Sequence, residues 1–554
     1  MAKRILLFAS ILMSFCTNVI ASTVFNVKDY GAKGNGTDID SYSINKAIEA
    51  ASDKGGGTVY LPAGQYVCLS VRLASNIRLY LDHGAVIKAA VPTAEEHYDL
   101  PEDNPSTFQD FGHSHWQNSL IWGIGLHDVT IEGFGLIDGT DGLTRGQRLM
   151  NGHPAANKAI ALKESRNVTI RDINMLRCGH FAMLLTGVDN LTIDNVRCDT
   201  NRDGFDIDCC SNVRISNCHV NTLNDDAIVL KSSYGLGYAK PTENVTITNC
   251  HVSGYDIGSM LNGTYGTTTD KAPDQDGPTG RIKFGTESNG GFRNITISNC
   301  TFDRCRGLAL ETVDGGTIED IVVNNIAMRD ICNSPIYIRL GNRARGPKGT
   351  PVGKIRRVKL SNISVKNADC RYASMIFGIE NHKIEDVTLD NIHIQYKGGI
   401  KMDDVVNQRG ANSFFTRNNS ALNTTQSFST LVKAEGKKPD KGSERYLYDV
   451  PQMEKGYPEP SSHGLMPVYG LFISHASNVS IHNVTLETME QDERPAVLMI
   501  DAENVRLKDM RADKPSGAPY VVLKDFENIE LKDFCNIKDR ILNRTKNKVV
   551  KIWP

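Results

Sequence analysis

A short pattern recurs along this 554-residue chain and constrains its fold more than any other feature. Each copy has seven places. The first is polar, usually Asn or Asp, the second is apolar, and the third is usually polar. The fourth is Ile, Leu or Val, the fifth is any residue, the sixth is Asn or Asp, and the seventh is apolar. The shortest spacings between copies are 22 to 26 residues. The copies begin at Asp128, Asn167, Asn190, Asn212, Asn244, Asn294, Asp320, Arg357, Asp386, Asn478, Asn504 and Asn528.

This pattern predicts a stack of parallel strands. Apolar and polar residues alternate within each copy, as expected for a strand with one buried face. No amphipathic helical pattern separates the copies, which argues against a doubly wound sheet or a TIM barrel. Leucine-rich repeats share the period but require Leu at fixed places. We therefore predict an all-β, right-handed, single-stranded parallel β-helix, a solenoid that lengthens without widening.

The sixth and seventh places of the repeat predict how each coil turns and packs. Asn occupies the sixth place in most copies, and Asn tolerates the left-handed backbone of a sharp corner. Stacked Asn side chains can also form a hydrogen-bonded ladder. Cys218, Cys250 and Cys300 occupy the seventh place, where other copies carry Val or Ile. We predict that these three cysteines pack inside the solenoid and do not form disulfides.

The amino-terminal residues have the features of a secretory signal. Lys3 and Arg4 precede an apolar run, and small residues follow near Ala21, so we predict a signal peptide over residues 1–22. A lipoprotein anchored at Cys16 is the alternative. No later stretch is apolar enough to span a bilayer. We expect export to the periplasm or the extracellular space, with a monomer favoured.

The remainder divides into a cap, a solenoid and a long loop. Residues 23–115 are predicted to form an N-terminal cap and the first coils, with a short helix over Ser43–Ser52 that covers the open apolar end. Residues 116–545 are predicted to form the β-helix, interrupted by a polar loop insertion near 401–465. The net charge of −2 indicates neither nucleic acid nor an anionic membrane surface as a partner.

Three aspartates are brought together by the repeat. Asp203 lies 23 residues before Asp226, which follows Asp225 directly. Residues one coil apart stack at about 4.8 Å, so the three carboxylates are expected to share one patch. Neighbouring carboxylates raise one another's pKa, and a raised acid beside an ionised base suits the hydrolysis of a glycosidic bond. The alternative is that these are corner residues, since Asp is common in turns.

Asn201-Arg202-Asp203, followed one coil later by Asp225-Asp226 on a capped β-helix, resembles the polygalacturonases, glycoside hydrolase family 28. The family pattern has Asn-Thr-Asp, so Arg202 replaces Thr. The resemblance implies that Asp225 is the general acid and that Asp203 and Asp226 activate water. It also implies inversion, with acid and base roughly 6.5–9.5 Å apart, no metal or organic cofactor, and a pectic poly- or oligosaccharide as substrate.

Two departures from the family pattern predict an altered specificity. Gly254-Tyr255-Asp256 stands in place of Gly-His-Gly, and Ala309-Leu310-Glu311 stands in place of Arg-Ile-Lys. The family's Arg and Lys hold a galacturonate carboxylate beside the cleaved bond, so their loss predicts a non-galacturonate neighbour, as in rhamnogalacturonan or substituted pectin. A literal Arg281-Ile282-Lys283 lies one coil earlier, and we interpret it as unrelated to the family motif, although its charges could still bind substrate.

Further residues on the same face are candidates for substrate binding. Lys231 either faces the substrate or neutralises the carboxylates, and His180 either replaces the missing His or is structural. The complete candidate set for substrate binding is Asn201, Arg202, Lys231, Arg306, Glu311, Tyr337 and Arg339.

Two other functions remain open from the sequence alone. One is a calcium-dependent pectate-lyase-like enzyme, and the other is a non-catalytic carbohydrate-binding or adhesin β-helix. The sequence does not decide between endo and exo cleavage, although long segments at 257–280 and 401–465 favour exo action.

Overall fold

The computed structural model describes residues 23–104, 108–268, 278–407 and 447–553. The predicted signal peptide, Cys16 and most of the predicted long loop lie outside the described residues, as do residues 269–277 of the 257–280 segment. The described chain forms a parallel β-helix whose coils share one 35-stranded sheet. The predicted fold class is confirmed, because strands one coil apart pair in parallel along nearly the whole chain.

Each coil contributes strands to as many as three faces. The face that carries the aspartates, called the site face below, comprises Val71–Arg72, Ile121–Ile124, Lys158–Lys163, Phe181–Thr186, Asp203–Asp208, Ile228–Ser232, Ile282–Ser288, Leu308–Thr312, Ile336–Leu340 and Ser374–Phe377. The second face comprises Val24–Asn26, Gly57–Leu61, Ile77–Leu81, His127–Gly133, Arg166–Arg171, Asp189–Asp194, Ser211–Ser216 and Thr242–Thr248. The third face comprises Asn35–Ile39, Gly64–Cys68, Ala85–Ala89, Leu136–Asp138, Asn174–Leu176, Arg197–Thr200, His219–Thr222 and His251–Ser253.

Later coils merge the faces into longer strands. These are Phe292–Asp303, Thr317–Ile331, Lys354–Ala368, Ile384–Gly398, Leu471–Glu490, Val497–Ala512 and Val521–Phe534. The buried positions alternate with exposed ones along these strands, and the buried apolar residues of all faces form one continuous interior core. This alternation is the physical reason that the repeat pattern was readable in the sequence.

Asparagine and aspartate form the corners of the coils. The first and sixth places of the repeat both adopt the left-handed conformation, with φ between +50° and +59° at the asparagines of the sixth place and at every first place. Side-chain amides donate along both columns, as from Asn190 to Asn167 at 2.8 Å and from Asn391 to Asn362 at 2.7 Å. The predicted corner and ladder at the sixth place are confirmed, and the first place forms a second ladder.

The cysteines pack as the repeat predicted. Cys218, Cys250 and Cys300 are buried in the interior core. The twelve cysteines among the described residues are all free, which includes the adjacent pair Cys209 and Cys210.

Both ends of the solenoid are covered. An α-helix, Ser41–Asp53, packs Ile44, Ala47, Ile48 and Ala51 against the first coils, as predicted. At the other end, Arg540–Leu542 and Thr545–Ile552 pair antiparallel with Val521–Phe534. An antiparallel addition of this kind protects the last strand of a parallel stack from edge-to-edge association.

The remaining elements lie in the connections between coils. They are the α-helix Met402–Asn407, the 3-10 helices Val27–Tyr30, Phe111–His113 and Pro460–His463, and the short antiparallel pair Leu149–Met150 and His153–Pro154. Within the described ranges, no helix has the length and apolar character needed to cross a membrane.

Residues 447–468, called the covering segment below, lie over the outer surface of the site face. Tyr448, Met466 and Val468 pack against outward-facing side chains such as Phe377 and Phe472. This packing buries part of the site face that lies beyond the strand Leu308–Thr312. The covering segment therefore limits how far an open groove can extend along the solenoid.

Candidate active site

The strand register places the three aspartates together. Phe205 pairs with Ile228 in the next coil, and the Gly204 amide donates to the Asp226 carbonyl at 3.0 Å, so Asp203 stands beside Asp226. An oxygen from each of Asp203, Asp225 and Asp226 lies within 4.8 Å of the other two. The aspartates therefore converge on one point, as the sequence predicted, and are not spread along separate corners.

The convergence of the oxygens leaves room for one water molecule. One oxygen of each carboxylate lies within 4.8 Å of the other two, which is a closest approach between single oxygens, whereas the roughly 6.5–9.5 Å expected for inversion is the distance between the acid and base carboxyl groups. Two oxygens within 4.8 Å of each other can both hydrogen-bond to one water molecule, because each hydrogen bond spans about 2.8 Å. The geometry thus accommodates a single shared water between two carboxylates.

Asp226 is held in its ionised form by cations of the next coils. Arg281 Nε lies 2.7 Å from Asp226 Oδ1, and Lys283 Nζ lies 3.3 Å from Oδ2. Burial favours protonation of Asp226, but Arg281, Lys283 and Arg306 outweigh it and hold the pKa of Asp226 well below its ordinary value. A carboxylate that stays ionised is available to accept a proton.

Asp203 has the opposite electrostatic setting. Its side chain is almost fully buried, and burial together with the charges of Asp225 and Asp206 raises the pKa of Asp203 well above its ordinary value. Neighbouring groups whose environments drive their pKa values apart are typical of acid–base sites. Asp203 and Asp226, which sequence reasoning treated alike, are therefore different electrostatically.

Asp225 makes its closest charge contact with Arg202. Arg202 Nη2 lies 2.5 Å from Asp225 Oδ2, and the Asp226 amide donates to Asp225 Oδ1 at 3.0 Å. These two side chains retain solvent access, with 23% exposure for Arg202 and 17% for Asp225. The neighbouring Asn201 is half-buried and accepts a weak hydrogen bond from Thr200 Oγ1 at 3.4 Å.

Lys231 lies among buried carboxylates near the three converging aspartates. Its Nζ is 2.9 Å from Asp206 and 3.5 Å from Glu287, and it contacts His113 Nε2. The Lys231 side chain is 6% exposed. Of the two roles predicted for Lys231, this position favours neutralisation of the carboxylates over contact with substrate.

A second cluster of charged side chains adjoins Asp226 in the coils that follow it. Glu459 of the covering segment contacts Arg281 and lies 2.9 Å from Arg306. Glu311 lies 3.5 Å from Lys283 and 3.9 Å from Arg281, and its side chain is fully buried. Burial, opposed by the two cations, raises the pKa of Glu311 from 4.5 to about 7.

Tyr337 and Arg339 do not line an open groove. Tyr337 is buried and hydrogen-bonds to His463 Nε2 at 2.9 Å. Arg339 is buried, contacts the Gln452 carbonyl and lies 4.5 Å from the centre of the Phe377 ring. Both side chains share the predicted face, but the covering segment encloses them. We therefore leave them, together with the fully buried Glu311, out of the proposed substrate-binding set.

Arg281 and Lys283 are the site residues that sequence reasoning missed. Their strand pairs with Ile228–Ser232 on one side and with Leu308–Thr312 on the other, so they occupy the coil directly after Asp226. The sequence interpretation, which separated Arg281-Ile282-Lys283 from the family motif and left its charges free to bind substrate, did not predict that both cations contact Asp226. The available signal was their place one coil beyond Asp225-Asp226, at the same end of a site-face strand.

His180 occupies the coil before Arg202. Its ring is half-buried and stacks on Phe181 with centroids 4.2 Å apart. The backbones of Gly112 and Gly146 approach it closely, since a Cβ added to either would lie within 3.0 Å of the ring. This packing favours the structural role that was predicted as one of two alternatives for His180.

Comparison with known proteins agrees with this fold. Residues 283–414 match the family "Glycosyl hydrolases family 28", residues 24–99 match "Rhamnogalacturonase A/epimerase, pectate lyase-like", and residues 125–271 match "Right handed beta helix region". A probable polygalacturonase of Vitis vinifera is 24% identical over 388 residues, which span 66% of this chain and 73% of that protein. An exopolygalacturonase of Platanus acerifolia is 26% identical over 407 residues, which span 68% of this chain and 92% of that protein.

The fold is also shared with a solved structure. The family 28 exopolygalacturonase of Yersinia enterocolitica superposes with a TM-score of 0.59 at 15% identity, covering 88% of this chain and 78% of that one. The protein is therefore a glycoside hydrolase built on a right-handed parallel β-helix. More particularly, the chain carries a glycosyl hydrolase family 28 domain and is of the polygalacturonase type.

Proposed function

We propose that this enzyme hydrolyses α-galacturonosidic linkages in pectic chains with inversion, and that a neutral sugar stands on the other side of the cleaved bond. Rhamnogalacturonan and substituted pectins contain such linkages. The observation that carries the proposal is the different electrostatic setting of the converging aspartates. Asp226 is held ionised, whereas Asp203 favours its protonated form.

The chemistry follows from these settings. A water molecule between Asp203 and Asp226 attacks the anomeric carbon and passes a proton to Asp226, the carboxylate that Arg281 and Lys283 keep ionised. Asp203 holds the water by a hydrogen bond. Asp225, the most exposed of the three aspartates, donates a proton to the glycosidic oxygen as the bond breaks.

The neighbouring subsite is proposed to be neutral because its cations are already matched. Arg281, Lys283 and Arg306 face an equal number of carboxylates, Asp226, Glu311 and Glu459. The three cations are between 2% and 6% exposed. A second uronate would have to displace a buried carboxylate from these pairs, and burying an unpaired charge is costly.

A comparison of matched substrates tests this function. Wild type and Asp225→Asn would be assayed on unbranched polygalacturonate and on rhamnogalacturonan fragments, following new reducing ends and the anomer released. We expect faster cleavage of the mixed-sugar fragments, an inverted product, and loss of activity in the variant. Equal rates on both substrates would contradict the neutral subsite, and a retained anomeric configuration would contradict the mechanism.

Calcium-dependent β-elimination is the second candidate, because three clustered carboxylates can hold a cation. However, Arg202 contacts Asp225, and Arg281 and Lys283 contact Asp226, so positive charges already occupy positions around the cluster. A chelator would abolish elimination, and elimination would also create an absorbing double bond. We expect activity without either effect.

We also propose that the enzyme acts outside the cytoplasm, with residues 1–22 removed on export. A pectic polymer is too large to be a cytoplasmic substrate without prior cleavage. Amino-terminal sequencing of the protein from a culture would test the cleavage near Ala21.

A further inference from the structure

Arg202 differs from the other cations that touch the aspartates. Its side chain is 23% exposed, whereas Arg281 and Lys283, which hold Asp226, are each 2% exposed. Of the described cations in contact with Asp225 or Asp226, Arg202 is therefore the one that a ligand entering from solvent meets first. A guanidinium at such a place is well suited to a carboxylate, which it can bind through two parallel hydrogen bonds.

The Asp225 carboxylate has both oxygens engaged. Oδ2 contacts Arg202 Nη2 at 2.5 Å, and Oδ1 accepts the Asp226 amide at 3.0 Å. A general acid must present a protonated oxygen to the glycosidic oxygen. The amide belongs to the main chain next to Asp225 and is fixed, whereas Arg202 reaches Asp225 through a flexible, partly exposed side chain. Release of Oδ2 by Arg202 is therefore the simplest route to a proton-donating Asp225.

We propose that Arg202 is a specificity-determining residue that couples recognition of a uronate to activation of the general acid. The carboxylate of the galacturonate being cleaved takes the Arg202 guanidinium away from Asp225. Oδ2 then takes a proton from solvent and donates it to the glycosidic oxygen as the bond to the anomeric carbon breaks. The attacking water loses its proton to Asp226, which releases that proton to solvent. Asp225 returns to Arg202 when the product leaves.

This proposal rests on the proposed function and makes the discrimination between acidic and neutral sugars depend on one residue. A galacturonoside would both bind Arg202 and release Asp225. The methyl ester of that galacturonoside, or the galactoside obtained by reducing its carboxylate to an alcohol, would leave the Arg202–Asp225 contact in place. Since hydrogen bonds to charged groups contribute about 1.5–3 kcal/mol, the wild type is expected to prefer the acid by roughly 10- to 100-fold in kcat/KM.

The test measures kcat/KM on a galacturonoside and on its methyl ester for wild type, Arg202→Thr and Arg202→Lys. Thr is the residue that the family pattern has at this place. We expect Arg202→Thr to reduce the preference for the acid to within about 3-fold, mainly through a loss on the acid substrate. Arg202→Lys keeps a cation without the planar fork and is expected to retain part of the preference.

A surface ion pair supplies the control. Arg329 lies 2.6 Å from Asp303 and is 61% exposed, so Arg329→Thr should leave the preference unchanged. If Arg202→Thr lost the same factor on both substrates, Arg202 would merely position Asp225 and the proposal would be overturned. If the wild type hydrolysed no galacturonoside at all, the proposed function itself would fail. The wild type alone shows that result, so it is distinguished from a failure of the Arg202 proposal.

Discussion

The buried carboxyl of Glu311 makes stability depend on pH in an unusual direction. Burial raises the pKa of Glu311 from 4.5 to about 7. A carboxyl whose pKa is raised on folding binds more protons in the folded state, so the contribution of Glu311 to stability is fully present below pH 4.5 and is lost as pH rises to about 7. The difference in pKa corresponds to about 3 kcal/mol. Glu311→Gln keeps the size of the side chain and removes its charge. We therefore expect it to stabilise the protein by about 3 kcal/mol at pH 8 and by close to zero at pH 4.

Urea denaturation at the two pH values would measure this difference, with Glu319→Gln as the matched control. Hydrogen bonds from Arg356 and Arg357 lower the pKa of Glu319, so Glu319→Gln should destabilise the protein at pH 8 and destabilise it less at pH 4. If Glu311→Gln were destabilising at pH 8, the carboxylate would be a favourable partner of Lys283 and Arg281. The assignment of a raised pKa to Glu311 would then be refuted.

Three further predictions concern the site. Asp226→Asn should lower kcat by about 10²- to 10⁴-fold, because a general base is removed. Arg371 serves as a control, because it forms a fully buried ion pair with Asp369 at 2.7 Å. Arg281→Met and Arg371→Met should both destabilise the fold by about 3–5 kcal/mol, since each removes the cation of a buried ion pair. Only Arg281→Met should shift the acidic limb of the pH–rate profile to higher pH, because the pKa of Asp226 rises when Arg281 is lost; equal profiles for both variants would refute this. Chelator treatment should leave the rate unchanged, as measured by reducing-end release.

Much of the fold was predictable because the β-helix repeats one local rule. Every coil must bury one face of a strand and turn a corner, so apolar alternation and Asn recur at a fixed period. The same rule predicted that Asp203 and Asp226 stack, since their separation equals one coil. It also predicted that Tyr337 and Arg339 lie on the site face, where the structure places them.

Contacts between distant parts of the chain were not predictable in this way. Glu459 reaches Arg281 across 178 residues, and Tyr337 meets His463 across 126. These contacts come from the covering segment, which follows no repeat, so its position over the site face has no periodic signal. As a result, the sequence predicted which way Tyr337 and Arg339 point but not that they are enclosed.

The placement of the cations is the structural basis for proposing a neutral sugar beside the cleaved bond. The strand that carries Arg281 and Lys283 lies between the Asp226 coil and the coil of Ala309 and Glu311, and Lys283 pairs directly with Ala309. Cations at 281 and 283 reach back to Asp226, whereas cations at 309 and 311 would lie one coil further from it. Placing the charges in the nearer coil keeps the base ionised. In the farther coil the buried Glu311 stands where a cation would be needed. The resemblance implies that a uronate needs cations in the farther coil, so the arrangement that stabilises Asp226 is the reason for proposing a neutral sugar at that neighbouring position.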